Sequence, residues 1–122
     1  MSRRSRPAPD PTRPIQIRPT MQAVLSFVDY QRNAARTMKV SLTPDEILID
    51  ASAGLAEEAG EVLGIVRKHL YQGRPLDEAR LAEELGDALW CIAAVATARG
   101  LSLETIATTN IEKLRQRYPA DR

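Results

Sequence analysis

Apolar residues recur along the chain every three or four positions, which is the spacing of a helix face rather than a strand. No stretch alternates apolar and polar residues, and the two-residue hairpin signals are missing, so no strand is expected. Four segments carry the helical period. The first runs from about Met21 to Met38 and places Val24, Leu25, Val28, Tyr30 and Gln31 ahead of Ala35. The second opens at Thr43-Pro44-Asp45-Glu46, where a threonine cap, a proline at the first helical position and acids in the first turn together specify a helix start. It continues towards Tyr71 and stops at Gly73, with Pro75 just beyond. The third begins near Asp77 and ends before Gly100, and the fourth, capped by Ser102, runs from Leu103 to about Tyr118 and is ended by Pro119. Connections of a few residues make successive helices antiparallel neighbours. The pattern therefore predicts an all-α fold, a compact antiparallel bundle of about four helices over residues 21–119.

The 122 residues suffice for one domain. Net charge is +1, yet residues 1–20 hold five arginines against Asp10 alone, together with five of the eight prolines. Such a segment buries too little apolar surface to offset its ordering entropy and is expected to be an extended tail. Its arginines are dispersed and lack aromatic neighbours, so nucleic acid is not the expected partner. Met21 opens the structured pattern and is a candidate native start. No apolar run approaches the roughly 20 residues that span a bilayer, and no apolar segment of a secretory signal follows the N-terminal arginines. The lone Cys91 cannot form an internal disulfide, which fits a reducing, cytoplasmic setting.

Two nine-residue stretches echo one another at an offset of 26: Leu55-Ala-Glu-Glu-Ala-Gly-Glu-Val-Leu63 and Leu81-Ala-Glu-Glu-Leu-Gly-Asp-Ala-Leu89. At 100° per residue, Glu58 and Glu61 share one sector of the second helix, as do Glu84 and Asp87 on the third. Each pair lies on the shoulder of an apolar stripe: Leu55, Ala59, Val62, Leu63 and Val66 on the second helix, and Leu81, Leu85, Leu89, Ile92 and Ala96 on the third. When the stripes pack antiparallel, all four carboxylates border one cleft. They then repel by roughly 4 kcal/mol per close pair at an effective dielectric near 20. Proton uptake, a cation or separation must offset that. Hard oxygen ligands at i, i+3 suit Mg²⁺, with Mn²⁺ as a substitute. Gly60 and Gly86 each cost about 1 kcal/mol inside a helix, and close approach of the two helices is the expected reason for them.

With these motifs the chain resembles the MazG-like family of all-α nucleoside triphosphate pyrophosphohydrolases. Glu58-Ala-Gly-Glu61 and Glu84-Leu-Gly-Asp87 fit the family's E-x-x-E and E-x-x-D elements, and Asn110-Ile-Glu-Lys113-Leu-Arg-Gln-Arg117-Tyr118-Pro119 is similar to its closing stretch. The resemblance implies hydrolysis of a ribo- or deoxyribonucleoside triphosphate to the monophosphate and pyrophosphate, as nucleotide-pool housekeeping. It also implies Glu58, Glu61, Glu84 and Asp87 as Mg²⁺ ligands. Glu57, adjacent to the ligand pair but turned about 100° from Glu58, is the candidate to orient or deprotonate the attacking water.

The triphosphate also needs cations from the protein. Lys113 and Arg117 lie four apart on one face of the last helix, with Asn110 one turn earlier and Tyr118 beside them as a hydroxyl donor. They form a candidate phosphate clamp, although a basic helix end complementing its own dipole accounts for the same charges. Lys68 is a further phosphate candidate. Phe27 and Trp90 are candidates to stack on the base, with Gln31 to bond its edge; packing is the alternative for both rings. His69 reads as a helix-end residue and Cys91 as a small buried thiol. Helices that are apolar over wide arcs suggest a homo-oligomer, a dimer or a dimer of dimers. Two rival readings stay open: a pyrophosphatase acting on a phosphoribosyl-ATP-like substrate, and a non-catalytic helical module that binds nucleotides or partners.

Overall fold

The computed structural model describes residues 26–120. The expected tail, Met21, Val24 and Leu25 lie outside the described residues. Four helices follow in order: α1 (Phe27–Ala35), α2 (Pro44–Gln72), α3 (Glu78–Ala98) and α4 (Leu103–Arg117). There is no strand among the described residues.

The helix ends follow from local chemistry. Thr43 Oγ1 accepts from the Glu46 backbone N–H at 3.2 Å, and the Thr43 N–H donates to Glu46 Oε1 at 3.0 Å, so both halves of the capping box close. These bonds, the backbone one foremost, hold the Glu46 carboxyl below its ordinary range. Gly73 ends α2 at φ 66°, a left-handed conformation open to glycine at little cost. Asp77 caps α3 by accepting from the Arg80 N–H at 3.1 Å. At Gly100, φ 65°, the chain leaves α3, and Ser102 then caps α4. α1 ends at Ala35, short of the expected Met38, because the Thr37 and Met38 N–H groups turn back onto the Ala34 and Ala35 carbonyls.

The α2–α3 hairpin is the body of the molecule, with α1 laid on α3 and α4 on α1. The helix axis turns by 108° between α3 and α4, so α4 crosses its neighbours rather than lying alongside α3. Gln31 sets this crossing. Its Nε2 donates to Thr97 Oγ1 (3.1 Å) and the Leu101 carbonyl (2.8 Å), while its Oε1 accepts from the Leu103 N–H at 2.8 Å. One α1 side chain thus supplies partners at the end of α3 and to an otherwise orphaned donor at the start of α4.

Small side chains dominate the interior. Ala34, Ala51, Ala93, Ala94 and Ala96 are buried with Ile65, Cys91 and Leu103, and Tyr30 and Trp90 pack against part of this set. The α2–α3 seam is rotated from the stripe expected on periodicity. Leu55, Val62, Leu81 and Leu89 lose exposure as expected. Ala59, Leu63, Leu85 and Ile92 stay exposed, Leu63 at 56% and Leu85 at 52%. Gly54, Glu58 and Glu84 occupy the seam instead. No single helix among the described residues is long and apolar enough to cross a membrane.

Candidate functional site

Glu58 on α2 and Glu84 and Asp87 on α3 each offer one carboxylate oxygen, and the three oxygens lie within 4.8 Å of one another. One helical turn separates Glu84 from Asp87, and the antiparallel register sets Glu58 opposite both. Three carboxylates this close do not all ionise freely. The hydrogen bond with Glu84, then burial, then the charges of Glu84, Asp87 and Glu61 push the Glu58 carboxyl up to about 7. Glu58 Oε2 is buried with no hydrogen-bond partner. Buried acceptors are nearly always satisfied, so an orphaned oxygen beside two further carboxylates marks a place where these residues could hold a cation. The donor set is all hard oxygen and fits a divalent ion of the Mg²⁺ or Mn²⁺ kind.

The expected convergence of four carboxylates is realised by three. Glu61 turns aside, and its Oε2 lies 3.3 Å from Arg80 Nη2. Proton uptake at Glu58 and a protein cation at Glu61 thus divide the task of offsetting the repulsion. Glu57 and Glu61 line a cleft of about 330 Å³ with Gly60, Gly64, Ile65, Lys68 and Arg80. An adjoining recess of about 280 Å³ adds Arg74, Pro75 and Asp77 to Ile65, Lys68 and Arg80. The expectation that Gly60 and Gly86 allow close helix approach is not met, because a Cβ at either position would meet nothing within 4 Å. The close approach is at Gly54, where a Cβ would come within 3.0 Å of Cys91 Sγ.

On the other side of the acids, Trp90 forms the wall of a mostly apolar recess of about 240 Å³, with Met38, Leu42, Ile47, Asp50, Gly54 and Cys91. Its indole Nε1 donates to Thr37 Oγ1 at 2.7 Å. Phe27 lies elsewhere, in a groove with α4 residues Glu104, Ala107 and Ile111. The amide of Gln31 is committed to the α3–α4 junction. Asn110, Lys113 and Arg117 are exposed on α4 and do not line the cleft that holds Glu57, Glu61 and Lys68. Tyr118 ends α4, its N–H on the Leu114 carbonyl at 2.7 Å.

Two further residues belong to the surroundings of the acids. Arg80 lies four positions before Glu84, a spacing that puts both on one helix face and is visible in the sequence. Tyr30 reaches the acids from α1, and its hydroxyl is raised by burial and then by the charges of Asp87 and Cys91; no spacing along the chain signals that proximity. Burial, followed by the charges of Glu58, Asp87 and Glu57, pushes the Cys91 thiol up as well, so it is no ready nucleophile. His69 Nδ1 lies 2.8 Å from the Arg74 carbonyl, a helix-end contact.

Comparison with known families gives one match: residues 50–121, from α2 through α4, fit the MazG nucleotide pyrophosphohydrolase domain. No curated protein and no solved structure gives a significant match. The match covers more than half of the chain and includes both acidic motifs and the Asn110–Pro119 stretch. With the all-α architecture and the three converging carboxylates, it establishes that the chain belongs to the MazG nucleotide pyrophosphohydrolase family.

Proposed function

We propose that the chain hydrolyses a ribo- or deoxyribonucleoside triphosphate to the monophosphate and pyrophosphate, with residues 21–119 as the working domain and 1–20 as a tail outside it. The observation that carries this reading is the trio Glu58, Glu84 and Asp87 around an orphaned, buried carboxylate oxygen, in a chain of this family. The order of features along the seam supports it. An apolar recess walled by Trp90 lies to one side of the acids, and a charged cleft with Lys68 and Arg80 lies to the other. That is the polarity of a nucleotide laid along the seam, with its base in the recess, its α-phosphate at the acids and its outer phosphates in the cleft.

Mg²⁺, held by Glu58, Glu84, Asp87 and Glu61, would neutralise phosphate charge and make a nearby water more acidic. Glu57, which lines the cleft wall, would orient the attacking water and take its proton as the oxygen attacks the α-phosphorus. The bond from the α-phosphorus to the bridging oxygen breaks, and pyrophosphate departs towards Lys68. Of the candidates for the base, Trp90 fits the recess best. Phe27 and Gln31 serve α1–α4 packing within the chain, so their contact with a base would require a neighbouring copy. The same holds for Asn110, Lys113, Arg117 and Tyr118 as phosphate contacts. Exposed Leu63, Leu70, Leu85 and Ile92 support a homo-oligomer that would bring such a copy close. The buried single cysteine favours a reducing cytosol.

Incubating the protein with a panel of NTPs and dNTPs, with Mg²⁺ and with EDTA, tests the reading. Monophosphate plus pyrophosphate, lost with EDTA, is the expected outcome. Diphosphate plus phosphate, or no turnover of any nucleotide, overturns it.

A further inference from the structure

We infer that Arg80 is a built-in rival of the cation for Glu61: the guanidinium holds the fourth carboxylate out of the acidic cluster until a divalent ion displaces it. The inference rests on the cation site proposed above. Glu61 lies one turn from Glu58 on the same face of α2, within reach of the cluster, yet its Oε2 is 3.3 Å from Arg80 Nη2. Arg80 is likewise one turn from Glu84 on α3, so the pair stands at the edge of the cluster.

The contact is built to exchange. The Arg80 and Glu61 side chains are 49% and 52% exposed, and an ion pair of that exposure is weak. A divalent ion beside Glu58, Glu84 and Asp87 attracts Glu61 with twice the charge of a guanidinium. Nor does the fold depend on the arginine side chain. The bond from Arg80 to the Asp77 cap uses its backbone N–H, so a substitution leaves the start of α3 intact. Once displaced, the guanidinium remains on the cleft wall that it shares with Lys68.

The test is a Mn²⁺ titration, read as the loss of the free-ion electron paramagnetic resonance signal. It uses the full chain and the variants Arg80→Gln, Glu61→Gln and the double variant. Competition predicts that Arg80→Gln tightens Mn²⁺ binding by about two- to five-fold, the scale of an exposed ion pair, and that this gain largely vanishes in the Glu61→Gln background. An equal gain in both backgrounds would mean simple charge repulsion and overturns the inference, as does an unchanged or weakened affinity for Arg80→Gln. A second readout needs no variant of Arg80. The side-chain Nε–H resonance of Arg80 should move during a Mg²⁺ titration of the wild type towards its position in Glu61→Gln, and a stationary signal contradicts displacement. A wild type that takes up no Mn²⁺ sinks both this inference and the proposed cation site. Uptake without the dependence on Glu61 sinks the inference alone.

Discussion

The two acidic motifs start from nearly the same nine residues and end in different surroundings. On α3, Glu84 and Asp87 both face the seam and meet Glu58. On α2 the pair is split, with Glu58 in the seam and Glu61 held by Arg80. One pair of matching positions beside the motifs differs sharply: the residue four before each motif's first acid is Gly54 on α2 and Arg80 on α3. Gly54 lets the helices close against Cys91. At the corresponding place on the other side of the acids, Arg80 faces Ile65 across an open cleft. A near-repeat of sequence thus yields a seam that is tight and apolar at one end and open and charged at the other, which suits a ligand whose own ends differ in the same way.

The largest effect expected from breaking this asymmetry is at the acids themselves. Glu58→Ala or Asp87→Ala should lower turnover by more than about 100-fold, since residues that merely support metal ligands already cost 10–100-fold. The helical circular dichroism should persist, because neither side chain belongs to the apolar core. Near-wild-type activity in either variant would remove the cation from the account. Lys113→Ala should cost about ten-fold or more in kcat/KM, the scale of a lost charged hydrogen bond to phosphate. Unchanged steady-state kinetics would return Lys113 to the role of complementing the α4 dipole.

The smallest effects concern the glycines. Gly86→Ala adds a Cβ that meets nothing within 4 Å and should stabilise the chain by up to about 1 kcal/mol through helix propensity. Gly54→Ala gains the same propensity but presses on Cys91 Sγ at 3.0 Å, so overpacking of about 1–3 kcal/mol should leave it less stable than Gly86→Ala. Thermal unfolding of the two variants side by side decides this. Equal melting temperatures would mean that Gly54 is not where the seam is tight.

What was legible in the sequence was local. Thr43 with Glu46, Gly73, Asp77, Gly100 and Ser102 mark helix ends because each acts within a few residues of itself. The acids could be assigned to one side of each helix for the same reason. The rotation of the seam could not, since a 100° periodicity places Glu58 and Leu55 on one arc without saying which of them meets the neighbouring helix. The pairing of Glu61 with Arg80 depends on the antiparallel register across a five-residue connection, a tertiary fact. The crossing of α4 is held by three hydrogen bonds, two donated and one accepted by Gln31, with residues more than 60 positions away. Nothing in the local pattern distinguishes that glutamine from one that reads a base.

The raised Glu58 carboxyl gives the acids a direct signature. Its proton is bound more tightly in the folded chain than in the unfolded one, so this group's contribution to the stability of the metal-free chain is full below the ordinary carboxylate range and is lost as pH rises towards about 7. Cation binding requires the carboxylate and must expel that proton. Calorimetric titration of Mg²⁺ at pH 6, 7 and 8, in buffers of different ionisation enthalpy, measures both the affinity and the protons released. The account predicts affinity that rises with pH and a release of roughly half a proton per site at pH 7, fading by pH 8. Affinity independent of pH, with no proton released at pH 6 or 7, would contradict the assignment of Glu58, Glu84 and Asp87 as the cation site.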